Sequence, residues 1–359
     1  MINVTKTYLP DKNIYMKYID KIYETGWVTN NGQFAKQLEK ELKDYLGVRN
    51  IILVSNGTLA LQVAYKLLNL SDGVITTPFS FVATTSSMVW EGLKPVFVDI
   101  NKDSFNIDCA EIESKISNTI SAIVPVHVFG NGCDVEEIQK ISRKHNLKVI
   151  YDAAHAFGVK YKEKSILNYG DISILSFHAT KVFHTIEGGA LIINNDDLYE
   201  RAKLMINFGI KGPEKIDELG INAKMNEFQA AMGLCMLNSM DEIFKNRKAV
   251  YEIYANAFYN RNDVKLQIHN LNCNYNYSYF PIVFETEEKL LKVKRTLEKN
   301  NIYARRYFYP SLDTLYYLNN EHLKVSNSIA RTILCLPMYD SLDNKTQYKI
   351  IKLVLECLT

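Results

Sequence analysis

The feature that most constrains the fold is a regular alternation of short apolar segments and helical patterns between about residues 50 and 195. The first pair is IILV at 51–54 and the amphipathic stretch NGTLALQVAYKLLNL. Further strands are predicted in VITTP, PVFVDI, SAIVPVHVF, KVIYDAA, DISILSF and GGALIINN. Apolar strands separated by helices indicate a largely parallel sheet covered on both faces. The chain is therefore predicted to be an α/β protein whose ligands bind beyond the carboxyl ends of the strands.

The pattern changes at Asn226, where the long stretch NEFQAAMGLCMLNSMDEIFKNRKAVYEIYANAFYNR begins. Its apolar residues fall on one helical stripe, so it is predicted to lead out of a large domain, residues 1–245, into a small one, residues 246–359. In the small domain, YSYFPIVF is predicted to be a strand, and TEEKLLKVKRTLEKNN and TQYKIIKLVLECL are predicted to be helices. The C-terminal domain is therefore expected to be α+β.

Charge and apolar content exclude several classes of partner. The 42 basic and 40 acidic side chains nearly cancel, and no block is strongly basic, so nothing indicates nucleic acid or a lipid surface. No apolar run approaches the roughly 20 residues that cross a bilayer, and MINVTKTYLPDKN contains no apolar signal segment. The six cysteines are scattered, without metal-like spacing, so we expect reduced thiols, no metal and a cytoplasmic location.

Two motifs each place a polar group beside the end of a predicted strand. SNGT at 55–58 opens a helix, where free N–H groups favour a phosphate; Gly57 permits close approach and Thr58 adds a hydroxyl. The alternative is an ordinary N-cap. In KVIYDAAHAFG, Asp152 ends a strand, where it either caps the next helix or holds a proton on a ligand's ring nitrogen. The alanine pair after it leaves room for a flat ligand.

A third motif, SFHATKVFHTIEGG at 176–189, places Lys181 where the chain leaves the strand DISILSF. Partial burial there would lower the lysine pKa and yield the neutral amine that attacks carbonyls. The alternative is a solvated surface charge. Gly188 and Gly189 indicate close backbone passage nearby. Together, the phosphate cradle, the carboxylate and the lysine are the groups that pyridoxal 5'-phosphate (PLP) requires.

The ordered motifs resemble the DegT/StrS family of PLP-dependent sugar aminotransferases, which belongs to the fold type I superfamily. The matching segments are GWVTNNGQFAKQLEKELKDYLG, SNGTLAL, PFSFVATTSSMVWEGLKPVFVDI, IVPVHVFG, DAAHAFG, SFHATK, EGGALI, GINAKMNEFQAAMGL and ILCLPMYDSL. They span nearly the whole chain. The resemblance implies a mostly parallel seven-stranded sheet between helices in the large domain.

The resemblance also implies roles for particular residues. Lys181 would bind the cofactor covalently, Asp152 would pair with its pyridine nitrogen, and His155 would lie near its phenolic oxygen. The other implied contacts are Phe81 on one face of the ring with Ala154 or Ala179 on the other, Gly57, Thr58 and Ser176 at the phosphate, and Asn222 or Lys224 at the phosphate of the neighbouring subunit's cofactor. A homodimer with its active sites at the interface follows from this arrangement.

The expected reaction follows from the same resemblance. A lysine at 181, where a dehydratase branch has histidine, favours transamination. SFHATK is similar to enzymes that act on 4-keto-6-deoxy nucleotide sugars, whereas 3-keto branches usually carry tyrosine and proline after the strand phenylalanine. We therefore expect amination at C4 of such a sugar, dTDP-linked, with L-glutamate as donor in a ping-pong cycle, for surface polysaccharide.

One segment, RRYFYPSLDTLYY at 305–317, departs from the family pattern. It keeps Tyr309 and Pro310 of the usual Tyr-Pro-Leu-His stretch but lacks the histidine. Arg305, Arg306 and Tyr309 are expected to contact the substrate. The two arginines would meet its diphosphate, or else are surface charges on the small domain. The many tyrosines in this half of the chain are expected to serve packing rather than base stacking.

Three alternative functions stay open on the sequence. One is a 3-keto nucleotide-sugar aminotransferase, and another is a fold type I enzyme acting on an amino acid, which needs an arginine to clamp the α-carboxylate. The third is a catalytically silent regulator with the same fold. A silent protein is expected to have lost Lys181 or Asp152, and both are present.

Overall fold

The computed structural model describes residues 1–318 and 321–358, which form twelve α-helices and sixteen strands. The helices are α1 (Lys12–Thr25), α2 (Gln33–Leu46), α3 (Gly57–Leu67), α4 (Ala83–Trp90), α5 (Cys109–Ile112), α6 (Val135–His145), α7 (Asp196–Met205), α8 (Glu227–Leu237), α9 (Met240–Phe258), α10 (Glu287–Lys299), α11 (Lys324–Thr332) and α12 (Asn344–Leu358). The strands are β1 (Ile2–Asn3), β2 (Ile51–Val54), β3 (Gly73–Thr76), β4 (Lys94–Phe97), β5 (Ile120–Val124), β6 (Lys148–Asp152), β7 (Lys160–Tyr161), β8 (Lys164–Ser165), β9 (Ile172–Ser176), β10 (Gly189–Ile193), β11 (Ile210–Gly212), β12 (Lys215–Ile216), β13 (Val264–Leu266), β14 (Phe280–Phe284), β15 (Ile302–Tyr303) and β16 (Ile333–Leu336).

The central sheet has seven strands in the order β2-β10-β9-β6-β5-β3-β4. From β9 to β4 all neighbours are parallel, and only β10 is antiparallel, to both β2 and β9. Side chains alternate between two cores, one on each face: in β2, Ile51 and Leu53 pack with α2, α6 and α8, while Ile52 and Val54 pack with α3 and α7. The predicted α/β fold with a mostly parallel seven-stranded sheet is confirmed.

The prediction of one long helix from Asn226 is wrong in one respect, because this stretch forms two helices. α8 ends at Leu237 and α9 begins at Met240, and the N–H of Ser239 turns back to the carbonyl of Met236. Asn238 and Ser239 fall at the junction, and both residue types are poor helix formers. The apolar periodicity continues across the break, so the sequence pattern did not register it.

Helix α9 connects two hydrophobic cores. Met240 and Ile243 pack into a core of the central sheet, whereas Val250, Tyr254 and Phe258 pack against the three-stranded sheet β13-β14-β16 with α10 and α12. The predicted C-terminal strand and both predicted C-terminal helices are present as β14, α10 and α12. We propose that the division expected at residue 245 falls within α9, between its two apolar halves.

Hydrogen bonds to Asp99 also link the C-terminal half of the chain to the carboxyl edge of the central sheet. This carboxylate lies just beyond β4, is 6% exposed, and accepts hydrogen bonds from the N–H groups of Val325 (2.7 Å) and Ser326 (2.8 Å) and from the Ser326 hydroxyl (2.5 Å). These donors belong to the first turn of α11, where backbone N–H groups have no partner inside the helix. Asp99 therefore caps a helix that is distant in sequence.

Replacing Asp99 by alanine is expected to lower the free energy of unfolding by about 2–3 kcal/mol, because the buried donors of α11 would lose their acceptor. Urea-induced unfolding measures the change. Asp343→Ala is a matched control, because Asp343 caps Thr346 at the exposed start of α12 and its loss should cost only about 1 kcal/mol. Equal destabilisation by the two changes would contradict the assignment.

In the part of the chain that the structure describes, no helix combines the length and apolar character needed to cross a membrane.

Candidate active site

A cavity of about 280 Å³ opens at the carboxyl edge of the central sheet. Its walls come from the start of α3, the segment before α4, the ends of β6 and β9 and, from the C-terminal half, Tyr279, Arg305, Tyr307 and Phe308. Parallel strands end at one edge, and this brings together side chains that are far apart in sequence. The predicted site residues that line the cavity are Gly57, Thr58, Phe81, Asp152, Ala154, His155, Ser176, Lys181 and Arg305.

The first turn of α3 forms one end of the cavity. Asn56 caps the helix by accepting the N–H of Leu59 (2.9 Å), so the predicted N-cap is present. The N–H groups of Gly57 and Thr58 precede any intrahelical acceptor and remain for another partner. A Cβ on Gly57 would stand 3.1 Å from the Cβ of Ser176, so glycine keeps this corner open. The observed N-cap is compatible with the predicted phosphate site, because the two would use different N–H groups.

Asp152 ends β6 and is 5% exposed. Its carboxylate accepts hydrogen bonds from the Thr84 hydroxyl (2.7 Å) and the N–H of Ala154 (3.2 Å), and Thr84 is itself bonded to Ser80 (2.7 Å). Burial raises the pKa of Asp152, and the Thr84 bond, the Ala154 bond and the nearby charge of Lys181 oppose this. The two hydrogen bonds thus fix the orientation of the carboxylate, and the opposing interactions do not fully offset the effect of burial on its pKa.

Lys181 follows β9 in a turn in which its N–H bonds to the carbonyl of His178 (2.9 Å). The side chain is half-buried, because one side borders the cavity, while protein surrounds its other sides. This burial lowers the lysine pKa to about 8, and the charge of Asp152 works in the opposite direction. Lys181 and Asp152 therefore share one cavity and influence each other's charge, which is the arrangement that the sequence motifs predict.

Aromatic residues form the other walls. His155 is buried, its Nδ1 accepts the N–H of Phe129 (3.3 Å), and its ring lies 4.8 Å from Tyr279 and 5.9 Å from Phe308 between centroids. Burial, with a smaller contribution from Lys181, holds the His155 pKa well below its usual value, so the ring is neutral. Phe81 is 51% exposed on the cavity wall, an apolar face available to a flat ligand.

Several predicted residues lie elsewhere. Ala179 does not line the cavity, which leaves Ala154 as the alanine on its wall. Asn222 and Lys224 line a second cavity of about 500 Å³, where the Lys224 ammonium donates to Asn207 (2.7 Å) and Asn222 (2.9 Å). The Arg306 guanidinium pairs with Glu287 (2.6 Å) and stacks on Tyr309 (3.5 Å), outside the first cavity. Of the two arginines, only Arg305 reaches that cavity.

Other cavity residues were not identified from the sequence. Thr84 supports Asp152 although 68 positions separate them, and Tyr279, Tyr307 and Phe308 bring an aromatic wall from the C-terminal half. A threonine inside a helical pattern and aromatic residues near a strand look like ordinary structural residues. The only sequence signal for Thr84 was its position in PFSFVATT, within one of the segments that resemble the family.

The arrangement defines a class of enzyme. A buried carboxylate, a lysine of lowered pKa, free N–H groups at a helix start and an exposed aromatic face surround one cavity. On a mostly parallel seven-stranded sheet, this combination is that of a transaminase of fold type I, the class that uses PLP.

Comparison with known proteins identifies the family. Residues 11–355 match the DegT/DnrJ/EryC1/StrS aminotransferase family, and the chain belongs to it. It is 43% identical to a dTDP-4-amino-4,6-dideoxy-D-glucose transaminase of Shigella dysenteriae, covering 99% of this chain and 98% of that protein. An Escherichia coli protein of the same name is 40% identical over the same shares. The structure of DesI in the presence of its TDP-sugar product superposes with a TM-score of 0.94 at 28% identity, over 100% of this chain and 93% of that one.

Proposed function

We propose that this protein transfers the amino group of L-glutamate to C4 of a 4-keto-6-deoxy nucleotide sugar that carries dTDP, with PLP as cofactor. The observation that carries the proposal is the shared cavity of Lys181 and Asp152 beside an anion cradle. The two relatives named as dTDP-4-amino-4,6-dideoxy-D-glucose transaminases support the sugar and the nucleotide. The product would serve surface polysaccharide synthesis.

The cavity residues fit the cofactor. Gly57, Thr58 and Ser176 would hold its phosphate, Phe81 and Ala154 would contact the two faces of its ring, and Lys181 would bind it covalently. When bound, PLP withdraws electrons from the carbon that carries the amino group. Ala179 is the weaker of the two alanine candidates because it does not border the cavity.

The side chains around the ring would manage charge and protons. Asp152 would hold a proton on the ring nitrogen, and a cationic partner there would offset the cost of its own burial. Neutral His155 would lie near the phenolic oxygen without adding charge. Lys181, once released from the cofactor, would act as the base and acid that moves the proton, for which a pKa of about 8 suits neutral pH.

A homodimer is part of the proposal. Asn222 and Lys224 line a cavity separate from Lys181, so their predicted contact with a cofactor phosphate would require a second subunit. Phe208 (49%), Ile210 (40%) and Ile221 (41%) are large apolar side chains exposed around these residues. Covering them would give the association energy. The cytoplasmic location stays a prediction.

The lysine makes a testable prediction about pH. Only the neutral amine attacks an aldehyde, so uptake of PLP by the cofactor-free protein should speed up as pH rises, with a midpoint near 8 rather than 10.5. Because the Asp152 charge raises the lysine pKa, Asp152→Asn should move the midpoint lower. Stopped-flow absorbance between pH 6 and 11 measures both. A midpoint above 10 in the wild type would contradict a buried, reactive lysine.

The function itself is tested by offering PLP-loaded protein L-glutamate and a panel of keto sugars. The panel includes dTDP-, UDP- and GDP-linked 4-keto-6-deoxy sugars, a 3-keto isomer, and 2-oxo acids as amino-acid acceptors. Formation of 2-oxoglutarate with the dTDP-linked 4-keto sugar is the expected result. Turnover only with the 3-keto isomer or a 2-oxo acid would favour one of the alternatives, and a protein that binds no PLP would indicate a silent regulator.

A further inference from the structure

The cavity carries two charged side chains that the proposed chemistry does not use. Besides Asp152 and Lys181, the described residues that line it include the acid Glu187 and the base Arg305. Glu187 comes from the loop that follows Lys181, and Arg305 comes from the C-terminal half. The cavity therefore has a carboxylate, that of Glu187, on one wall and a guanidinium, that of Arg305, on another.

Glu187 is held in a tightly constrained turn. The preceding residue, Ile186, has φ of +70°, which is unfavourable for a β-branched residue, and its side chain is 45% exposed. The N–H of Ile186 donates to Nδ1 of buried His184 (3.1 Å), and the Thr185 hydroxyl donates to the carbonyl of Glu187 (2.8 Å). A Cβ on Gly188 would lie 1.9 Å from the Thr185 hydroxyl oxygen. These contacts fix the backbone at Glu187, whose side chain is 56% exposed and borders the cavity.

The carboxylate of Glu187 faces an oriented imidazole. His178 lines the same cavity, and its Nε2 is 3.5 Å from Oε1 of Glu187. The other ring nitrogen, Nδ1, accepts the N–H of Thr180 (3.2 Å) and lies 2.8 Å from the Thr180 hydroxyl. With Nδ1 held by Thr180, Nε2 is the ring nitrogen that faces the Glu187 carboxylate. The pair leaves the second carboxylate oxygen available to a substrate.

Both substrates of a ping-pong enzyme would bring anions into this cavity. Glutamate brings two carboxylates, and a nucleotide sugar brings a diphosphate, so the anionic part of either substrate is attracted to Arg305 and repelled by Glu187. In the described chain no acid forms an ion pair with Arg305, whose guanidinium lies 4.6 Å over the Tyr307 ring. A carboxylate accepts hydrogen bonds from hydroxyl and ammonium groups. The ammonium of glutamate is the group that must reach the cofactor at Lys181, so the donor has no further hydrogen to give Glu187, whereas the sugar brings ring hydroxyl groups.

Resting on the function proposed above, we propose that Glu187, positioned by His178, binds a ring hydroxyl of the acceptor sugar and takes no part in binding the glutamate donor. It is a specificity-determining residue. A hydroxyl that donates to a carboxylate makes a stronger hydrogen bond than one between neutral groups. Arg305 serves both substrates, because each of them carries an anion.

Glu187→Gln in the PLP-loaded protein tests the proposal, because the two half-reactions are observed separately by the visible absorbance of the cofactor. The glutamate half-reaction should keep its rate within about twofold, whereas kcat/KM of the sugar half-reaction should fall about 10- to 100-fold. His178→Gln should give a smaller loss with the same asymmetry, and Glu187→Asp should recover part of it. Arg305→Gln should slow both half-reactions.

Two further arms identify the contact. Wild type should discriminate against the 2-deoxy or the 3-deoxy analogue of the keto sugar, and Glu187→Gln should lose that discrimination. Glu252→Gln, on the exposed face of α9, is the matched control and should leave both half-reactions unchanged. Equal losses in both half-reactions, or none, would overturn the assignment of Glu187. A wild type that converts glutamate but aminates no sugar would instead refute the proposed function, and this inference with it.

Discussion

Lys181→Ala is expected to reduce transamination by about 10⁴-fold or more, because one side chain both binds the cofactor and moves the proton, and proton transfer alone contributes about 10²–10⁴-fold. The wild-type protein purified with PLP should be yellow, with a visible band that shifts on addition of glutamate. The variant should lack this response. Formation of 2-oxoglutarate and the absorption spectrum measure the two effects.

The control for this change is Lys140→Ala, which removes a lysine that is 75% exposed and lies on α6. It should retain both the band and the turnover. If Lys181→Ala kept a glutamate-responsive band and turned over at a rate near that of the wild type, the covalent role of Lys181 would be refuted and the proposed chemistry with it.

Asp152→Asn is expected to lower kcat about 10²–10³-fold, because asparagine keeps the shape of the side chain but loses the charge that stabilises a proton on the ring nitrogen. The same change should leave the cofactor-free protein as stable as the wild type or more stable. Burial raises the Asp152 pKa above its unfolded value, so the ionised carboxylate carries a stability penalty at neutral pH that is absent below its unfolded pKa. Steady-state kinetics and the Tm of the cofactor-free protein measure the two effects.

Thr84→Val separates orientation from charge. Its hydroxyl bonds to Asp152 at 2.7 Å, so its loss should lower kcat about tenfold while the carboxylate remains.

An Asp152→Asn variant that is as active as wild type would show that the carboxylate serves only the fold. A large loss of stability in that variant would point the same way.

Much of the active site was predictable because its chemistry depends on residue type and on position relative to strands. Gly57, Asp152 and Lys181 each follow an apolar segment, and parallel strands separated by helices bring such positions to one edge of the sheet. The family motifs extended this to Phe81, His155 and Ser176, all of which line the cavity. The lowered pKa of Lys181 was also expected, because a lysine at this edge is partly buried.

Other features depend on contacts that no local pattern encodes. Arg305 and Arg306 are adjacent and chemically identical, yet one lines the cavity and the other pairs with Glu287. The break between α8 and α9 lies inside an unbroken apolar stripe. The capping of α11 by Asp99 joins positions 227 residues apart.

The sequence by itself thus determined the order of the elements, the parallel sheet, and the positions of the lysine, the acid and the turn at 55–58 that is predicted to bind phosphate, because apolar periodicity and strand ends are local properties of the chain. Only the tertiary structure decided which side chains meet: Thr84 with Asp152, His178 with Glu187, and Arg305 with the cavity. Such pairings depend on rotamers and on the packing of distant segments, since hydrogen bonds act over about 3 Å and tolerate little error in position.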